Sequence, residues 1–305
     1  MNSTDEPVIA ASGLSKSFRG NLAVNGLDLA VPRGSIYGLI GRNGAGKTTT
    51  LRMLMGLLRP AAGTARVLGH ELWSAPRAIR QRVAYVSQEQ QLPPAKCTAD
   101  LCLDFSHLYE NWDFPLAEKL AKRFGIRVES PMAALSGGDR RKVAVLLAFS
   151  ARPEVIILDE PAAGLDPIAR RQLMEEIVDF LGDGGERTVL FSTHILEDLE
   201  RVAEHVGIMD RGRMLAAGPL EDLQSGMRRV QVVFDSPAVP EGFSIPGAMR
   251  TRVEGPVFTA IARIDSPARL EEIRALPGVR VSDFPLGLQD LFIELLGNQP
   301  ENPKL

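Results

Sequence analysis

The stretch Gly41-Arg42-Asn43-Gly44-Ala45-Gly46-Lys47-Thr48, followed by Thr49, constrains this chain more than any other. A glycine, four residues, then Gly-Lys-Thr is the pattern of a phosphate-binding loop. Glycines let the backbone turn sharply and aim its N–H groups inward, where a larger residue would clash. Lys47 offers a compact positive charge to the β- and γ-phosphates of a nucleotide, and Thr48 offers a hydroxyl to Mg²⁺. The context fits. Ile36-Tyr37-Gly38-Leu39-Ile40 reads as a buried strand, and Thr49–Leu58 as a helix whose N-terminus faces the phosphates. Gly41, Asn43, Gly44, Ala45, Gly46, Lys47, Thr48 and Thr49 are therefore the candidate nucleotide cradle.

Composition narrows the class. The chain has 305 residues, 45% hydrophobic and 24% charged, as a globular protein of two domains, or of one domain plus an appendage, would have. A net charge of −3 leaves no overall basic footprint, so nucleic acid is not an expected partner. Met1–Pro7 is polar and acidic, without the basic-then-apolar order of a signal peptide. Val143–Phe149, among the longest apolar runs, is too short to span a bilayer. The expectation is a soluble chain whose membrane role, if it has one, comes through a partner. Cys97 and Cys102 stand five apart with no further Cys/His cluster, which predicts reduced thiols and no metal site.

Along the chain, apolar residues alternate from Val8 to Val31, with Leu27, Leu29 and Val31 on one face of an antiparallel layer. Phe18 lies in this layer; an aromatic there either packs or stacks on a ring. Pro60–Thr64 reads as a turn, followed by strands at Ala65–Leu68 and Val83–Val86, the second delivering Ser87-Gln88. From about Thr98 to Ala151 the pattern is helical: Ala99–Tyr109, Pro115–Phe124 and a helix after Gly138. Ser136 is a plausible cap for the last, and Gly137 and Gly138 leave its N-terminus open. This is either a simply capped helix or a second anion site. Val155-Ile156-Ile157-Leu158 is a central buried strand that stops abruptly at Asp159-Glu160. Reactive groups of open α/β sheets project from the C-terminal strand ends, so this pair suggests one carboxylate for Mg²⁺ and one for water. Asp166-Pro167 opens the next helix, and the strand Thr188–Ser192 ends in Thr193-His194, near the same sheet edge. The order predicts a mostly parallel, doubly wound α/β core with an antiparallel N-terminal layer.

Taken in order, the phosphate loop, Gln88, Leu135-Ser136-Gly137-Gly138, Asp159-Glu160 and His194 resemble the ATP-binding cassette ATPases of ABC transporters. The resemblance spans roughly Val8 to Gln224, and the Ser-Gly-Gly signature is its most specific part. It implies a P-loop core with a helical subdomain at about 89–152, with ATP and Mg²⁺ as cofactors. It implies roles residue by residue. Phe18 would stack on adenine, Thr48 and Gln88 would reach Mg²⁺, and Asp159 would support the metal through water. Glu160 would polarise the attacking water and His194 would contact the γ-phosphate. Ser136, Gly137 and Gly138 would close on the ATP of a second subunit, with Asp166 at the seam. The family usually carries Gln after the two glycines. Asp139 stands there instead and adds negative charge near the incoming phosphate, which implies a modestly weaker contact with the partner's ATP.

Residues 225–297 read as a separate small α+β domain, with strands at Val230–Phe234 and Val257–Ala262 and helices at Ala268–Leu276 and Leu288–Leu296. It is similar to the C-terminal extensions of bacterial ABC-2-type exporter ATPases. Asn298–Leu305 is expected to be a disordered tail. The resemblance thus implies an ATP-hydrolysing subunit on the cytoplasmic face of the cell membrane. It would pair with a second ATPase subunit, as a homodimer, and dock on a separate transmembrane permease. The alternative is a soluble ATPase of this type acting on nucleic acid or ribosomes. Such proteins usually carry two cassettes or a long coiled coil, and this chain has neither.

Overall fold

In the computed structural model, which describes residues 6–89, 91–182, 187–225, 227–264 and 267–296, the chain opens with two paired strands. β1 (Ile9–Phe18) and β2 (Asn21–Val31) run antiparallel, and β3 (Ile36–Gly41) follows. Then come α1 (Lys47–Leu54), β4 (Ala62–Val67), α2 (Arg77–Arg80) and β5 (Val83–Val86). A helical stretch holds α3 (Thr98–Ser106), α4 (Phe114–Arg123) and α5 (Gly137–Ser150). β6 (Val155–Asp159), α6 (Pro167–Gly182), β7 (Thr188–Thr193), α7 (Leu196–Val202), β8 (His205–Asp210) and β9 (Arg213–Pro219) complete this part.

Every residue of β3, β6 and β7 is buried. A strand with no polar face must lie inside a sheet covered on both sides, and such sheets are parallel. Accordingly the six-stranded order is β5-β6-β7-β3-β8-β9, with β5, β6, β7, β3 and β8 parallel. The second layer is the antiparallel sheet β2-β1-β4. The expected alternation holds: Leu27, Leu29 and Val31 are buried, while Asp28 and Ala30 are exposed. Leu14, Leu27 and Val31 from this layer, Leu51 and Leu54 from α1, and Ile157 and Leu190 from the parallel sheet share one buried cluster. The helix behind the phosphate loop is therefore held between two sheets.

Two local expectations need correction. Pro60–Thr64 does not form one turn, because Ala62 and Thr64 pair with Ser15 and Ser12 of β1. An unpaired strand edge claimed residues whose own propensity favours a turn. The first helix ends at Leu54 rather than Leu58. Gly56 adopts φ +68° there, and a Cβ on it would lie 2.3 Å from the backbone nitrogen of Trp73, so close approach of a later segment ends the helix.

The contacts divide the chain into two units, Met1–Ala216 and Ala217–Leu305. The second contains α8 (Leu220–Ser225), β10 (Met227–Phe234), β11 (Ala248–Glu254), β12 (Val257–Arg263), α9 (Pro267–Arg274), β13 (Val279–Pro285) and α10 (Leu288–Leu296). Its antiparallel sheet has the order β11-β12-β10-β13 and buries Val230, Val232, Phe258 and Ala260 against Leu270 and Ile273. β11 and β13 were not expected from sequence. Both carry polar or charged residues at many positions, so their apolar alternation is weak. The expected tail, 298–305, lies outside the described residues.

One ionic cluster ties the helical stretch to the core. Arg123, the last residue of α4, reaches Glu175 at 2.7 Å and also pairs with Glu176 on α6. Glu176 is buried, and burial raises its pKa against the opposing pull of Arg123. Removing Arg123 would strand that carboxylate. Arg123→Ala should cost roughly 1–3 kcal/mol of stability. A raised folded-state pKa means that the native protein holds the proton more readily than the unfolded chain does. Stability from this group is therefore lost as pH rises through the raised value. The deficit of Arg123→Ala should be smaller at pH 5 than at pH 8, as urea unfolding at both would show.

Candidate nucleotide site

The site forms where β3, β6 and β7 end. Parallel register puts Leu39, Ser192 and Asp159 in one row across the three strands, so the residues after them emerge together at the carboxyl edge. β3 lies in the middle of the sheet although it comes early in the chain, and its exit is the crevice where open α/β sheets bind ligands.

The loop from Arg42 to Gly46 turns immediately after β3. Gly44 and Gly46 take φ +82° and +102°, in the left-handed region. A Cβ on Gly46 would lie 2.4 Å from the carbonyl oxygen of Ala23, so this position excludes any side chain. α1 starts directly after Gly46 with no side-chain cap, which leaves its first N–H groups aimed into the loop. A cavity of about 340 Å³ lies there, lined by Ala23, the run from Arg42 to Thr49, Gln88 and Glu160.

Lys47 is only 6% exposed. A lysine buried so deeply needs partners. Its Nζ donates to the Gly41 carbonyl at 2.6 Å and pairs with Glu160 Oε1 at 3.1 Å. Glu160 is also buried, and its other oxygen, Oε2, lies 2.7 Å from His194 Nδ1. His194 itself is 45% exposed and bridges the buried carboxylate to the surface. Glu160 has φ +50°, a strained conformation for a residue with a side chain. The Ser192 hydroxyl holds this turn: it accepts from the Glu160 N–H at 2.9 Å and donates to Asp159 Oδ1 at 2.7 Å.

Asp159 is fully buried. Its Oδ1 also lies 3.1 Å from the Thr48 hydroxyl, which is 3.4 Å from Gln88 Oε1. Asp159 Oδ2 is buried without a hydrogen-bond partner. A buried carboxylate oxygen with no donor, beside a hydroxyl and an amide oxygen, suits a hard divalent cation. Among the described residues no group of three or more His, Cys, Asp or Glu surrounds a metal position. This set therefore suits an ion that takes its remaining ligands from phosphate and water, as Mg²⁺ does.

Other sequence candidates neither line the cavity nor bond to the residues just described. Phe18 is exposed at the β1–β2 hairpin and is not among the lining residues. Ser136 caps α5, with Gly137 and Gly138 in its first turn; all three also lie outside the lining. Asp166 precedes α6 and accepts from the N–H groups of Ile168 and Ala169, each at 2.9 Å. Thus Lys47, Thr48, Gln88, Asp159, Glu160 and His194 converge within one chain, whereas the signature residues and Asp166 do not join them. Two contributors escaped the sequence reading. Ser192 had a signal, a hydroxyl closing an apolar strand opposite an acidic pair. Arg141, whose guanidinium donates to the Gln88 carbonyl at 2.6 Å, had none, because only the fold brings α5 beside Gln88.

Comparison with known proteins agrees with this fold. Residues 24–163 match the ABC transporter family. The chain is 33% identical to the Nod factor export ATP-binding protein I of Ralstonia nicotianae, over 96% of this chain and 95% of that one. It is 36% identical to the daunorubicin/doxorubicin resistance ATP-binding protein DrrA of Streptomyces peucetius, over 74% and 70% of the two chains. Among solved structures, an ATP-binding subunit of an ABC transporter superposes with a TM-score of 0.64 at 30% identity, covering 71% of this chain and 92% of that one. The nucleotide cradle, the acidic pair and these relatives, the Ralstonia protein matching over nearly its full length, lead to one conclusion: the chain belongs to the ABC transporter family, as one of its ATP-binding, ATP-hydrolysing subunits.

Proposed function

We propose that this subunit powers an exporter by binding MgATP between two copies of itself and docking, through the helical region at about 89–152, on a separate transmembrane permease. The observation that carries the reading is the meeting of Lys47 and Glu160 on a glycine-bounded cavity, with His194 bonded to Glu160 and the Ser136-Gly137-Gly138 helix start outside the lining. A phosphate-binding loop whose signature residues are absent from its own cavity is what a head-to-tail pair of subunits requires. Export is supported by the relatives, named for Nod factor export and for drug resistance. Among the described residues no helix is long and apolar enough to cross a membrane, and in this reading the permease supplies the pore. The place of work is then the cytoplasmic face of the cell membrane. Residues 225–297 act as an accessory domain in this reading.

The roles follow from the chemistry. The loop N–H groups and the start of α1 hold the phosphates, with Gly41, Asn43, Gly44, Ala45, Gly46 and Thr49 shaping the cradle. Thr48, Gln88 and Asp159 would hold Mg²⁺, which supplies charge neutralisation of the β- and γ-phosphates when bound. Lys47 gives its charge to the γ-phosphate and in doing so releases Glu160. Glu160, kept in place by the Ser192 hydroxyl and oriented by His194, accepts a proton from the attacking water. Phe18 offers an exposed ring for the base.

Glu160→Gln should bind ATP and lose turnover about 10²–10⁴-fold, the usual range for a lost general base. Phosphate release assays alongside nucleotide binding would check it, and wild-type turnover would remove Glu160 from this role. Lys47→Ala should weaken ATP binding roughly 10- to 100-fold, the worth of a charge-assisted hydrogen bond. Equilibrium titration with a fluorescent ATP analogue measures this, and an unchanged affinity would exclude Lys47 as the phosphate ligand.

A further inference from the structure

The head of α5 carries a carboxylate where an anion is due. Ser136 and Asp139 are joined twice: the Asp139 N–H donates to Ser136 Oγ at 3.0 Å, and the Ser136 hydroxyl donates to Asp139 Oδ2 at 2.8 Å. A hydroxyl has one proton to give. While Asp139 holds it, Ser136 presents only lone pairs to anything approaching the helix start. Its remaining neighbours decide what the carboxylate does when displaced. Lys142 Nζ lies 3.5 Å from Asp139 Oδ1, one turn along the same helix. Arg127 is the other cation acting on Asp139. Arg140 is committed to the Leu135 carbonyl at 2.9 Å and leaves Asp139 alone. Ser136 and Gly137 are exposed, so the arrangement faces outward and not into the subunit's own nucleotide cavity.

We propose that Asp139 is a built-in competitor of the partner's ATP: its carboxylate holds the Ser136 hydroxyl, and the incoming γ-phosphate must displace it before the two subunits close. On displacement the Ser136 proton turns from Asp139 to the phosphate, and Asp139 swings toward Lys142. The exchange is hydrogen bond for hydrogen bond, but it sets two anions side by side at one helix N-terminus, where the helix dipole favours only part of the added charge. Asp139 is thus a positioning residue that raises the ATP concentration at which closure occurs. A neutral side chain there would leave the Ser136 proton free for phosphate. This inference rests on the head-to-tail reading above.

The test uses the full chain in a Glu160→Gln background, where bound ATP persists, with Asp139 kept or changed to Asn, Gln or Glu. Light scattering after size exclusion follows dimer formation against MgATP concentration. Asp139→Asn and Asp139→Gln should lower the midpoint about two- to five-fold, the range expected for one charge at a helix terminus. Asp139→Glu should restore the parent value. Raising ionic strength should narrow the gap between the neutral and charged forms, because screening weakens only the charge effect. Binding of ADP to the monomer should not change, since Asp139 lies outside the cavity. A midpoint that is unmoved or raised in the neutral variants overturns the proposal and leaves head-to-tail closure standing. Failure of every form, including the one that keeps Asp139, to dimerise with ATP overturns both. A drop in thermal stability of Asp139→Asn without a shift in midpoint would reduce Asp139 to a helix cap and overturn the proposal as well.

Discussion

A buried lysine and a buried glutamate 3.1 Å apart set the terms for this site. Neither charge is tolerable alone in so dry a place, so each is the other's counter-ion until something else arrives. That something must be negative to engage Lys47, and it must leave Glu160 with a new partner. His194 is already at the other carboxylate oxygen, 2.7 Å away. The groups that tie the site together are the ones to which the proposed mechanism assigns its chemistry. On the proposed reading, phosphate takes the place of the Glu160 carboxylate on Lys47.

The rest of the fold supplies the means to hold that pair. Burial of both faces of β3, β6 and β7 leaves their polar groups one exit, the carboxyl edge. The row of Leu39, Ser192 and Asp159 brings the three ends level. Ser192 then keeps the residue after Asp159 in a backbone conformation it would not choose, spending both of its hydroxyl's capacities on the acidic pair. The strain at Glu160 is local and is countered by a buried hydrogen bond rather than by loose packing. A site of this kind depends on register more than on any single side chain: a shifted β7 would take Ser192 and His194 away together.

Much of this was legible in the sequence, for identifiable reasons. The phosphate loop could be read because its glycines are demanded by backbone geometry, and the central strands because complete burial leaves an uninterrupted apolar run. The acidic pair could be read because that run ends so sharply at Asp159. Elements governed by their neighbours were less visible. Ala62–Thr64 looks like a turn and becomes strand through its pairing with β1. The helix after the loop stops early because Trp73 comes up against Gly56. β11 and β13 have too many polar residues for alternation to show. The Ser136–Asp139 contact was not legible: Asp139 stands out only against the Gln that the family usually carries there, and its hold on the serine proton needs side-chain geometry.

The place of β3 has a consequence for how the protein is made. Ile36 finds its sheet partner at Val189 and Tyr37 finds one at His205. The phosphate loop hangs from a strand whose two neighbours leave the ribosome long after it does. Pairings so distant in sequence close slowly, because loop entropy is lost before any contact repays it. During synthesis an apolar strand and its glycine-rich loop wait without a sheet. The nascent chain gains a nucleotide pocket only near the end of its first unit, and its central strands, fully buried in the fold, are what a chaperone would have to shield until then.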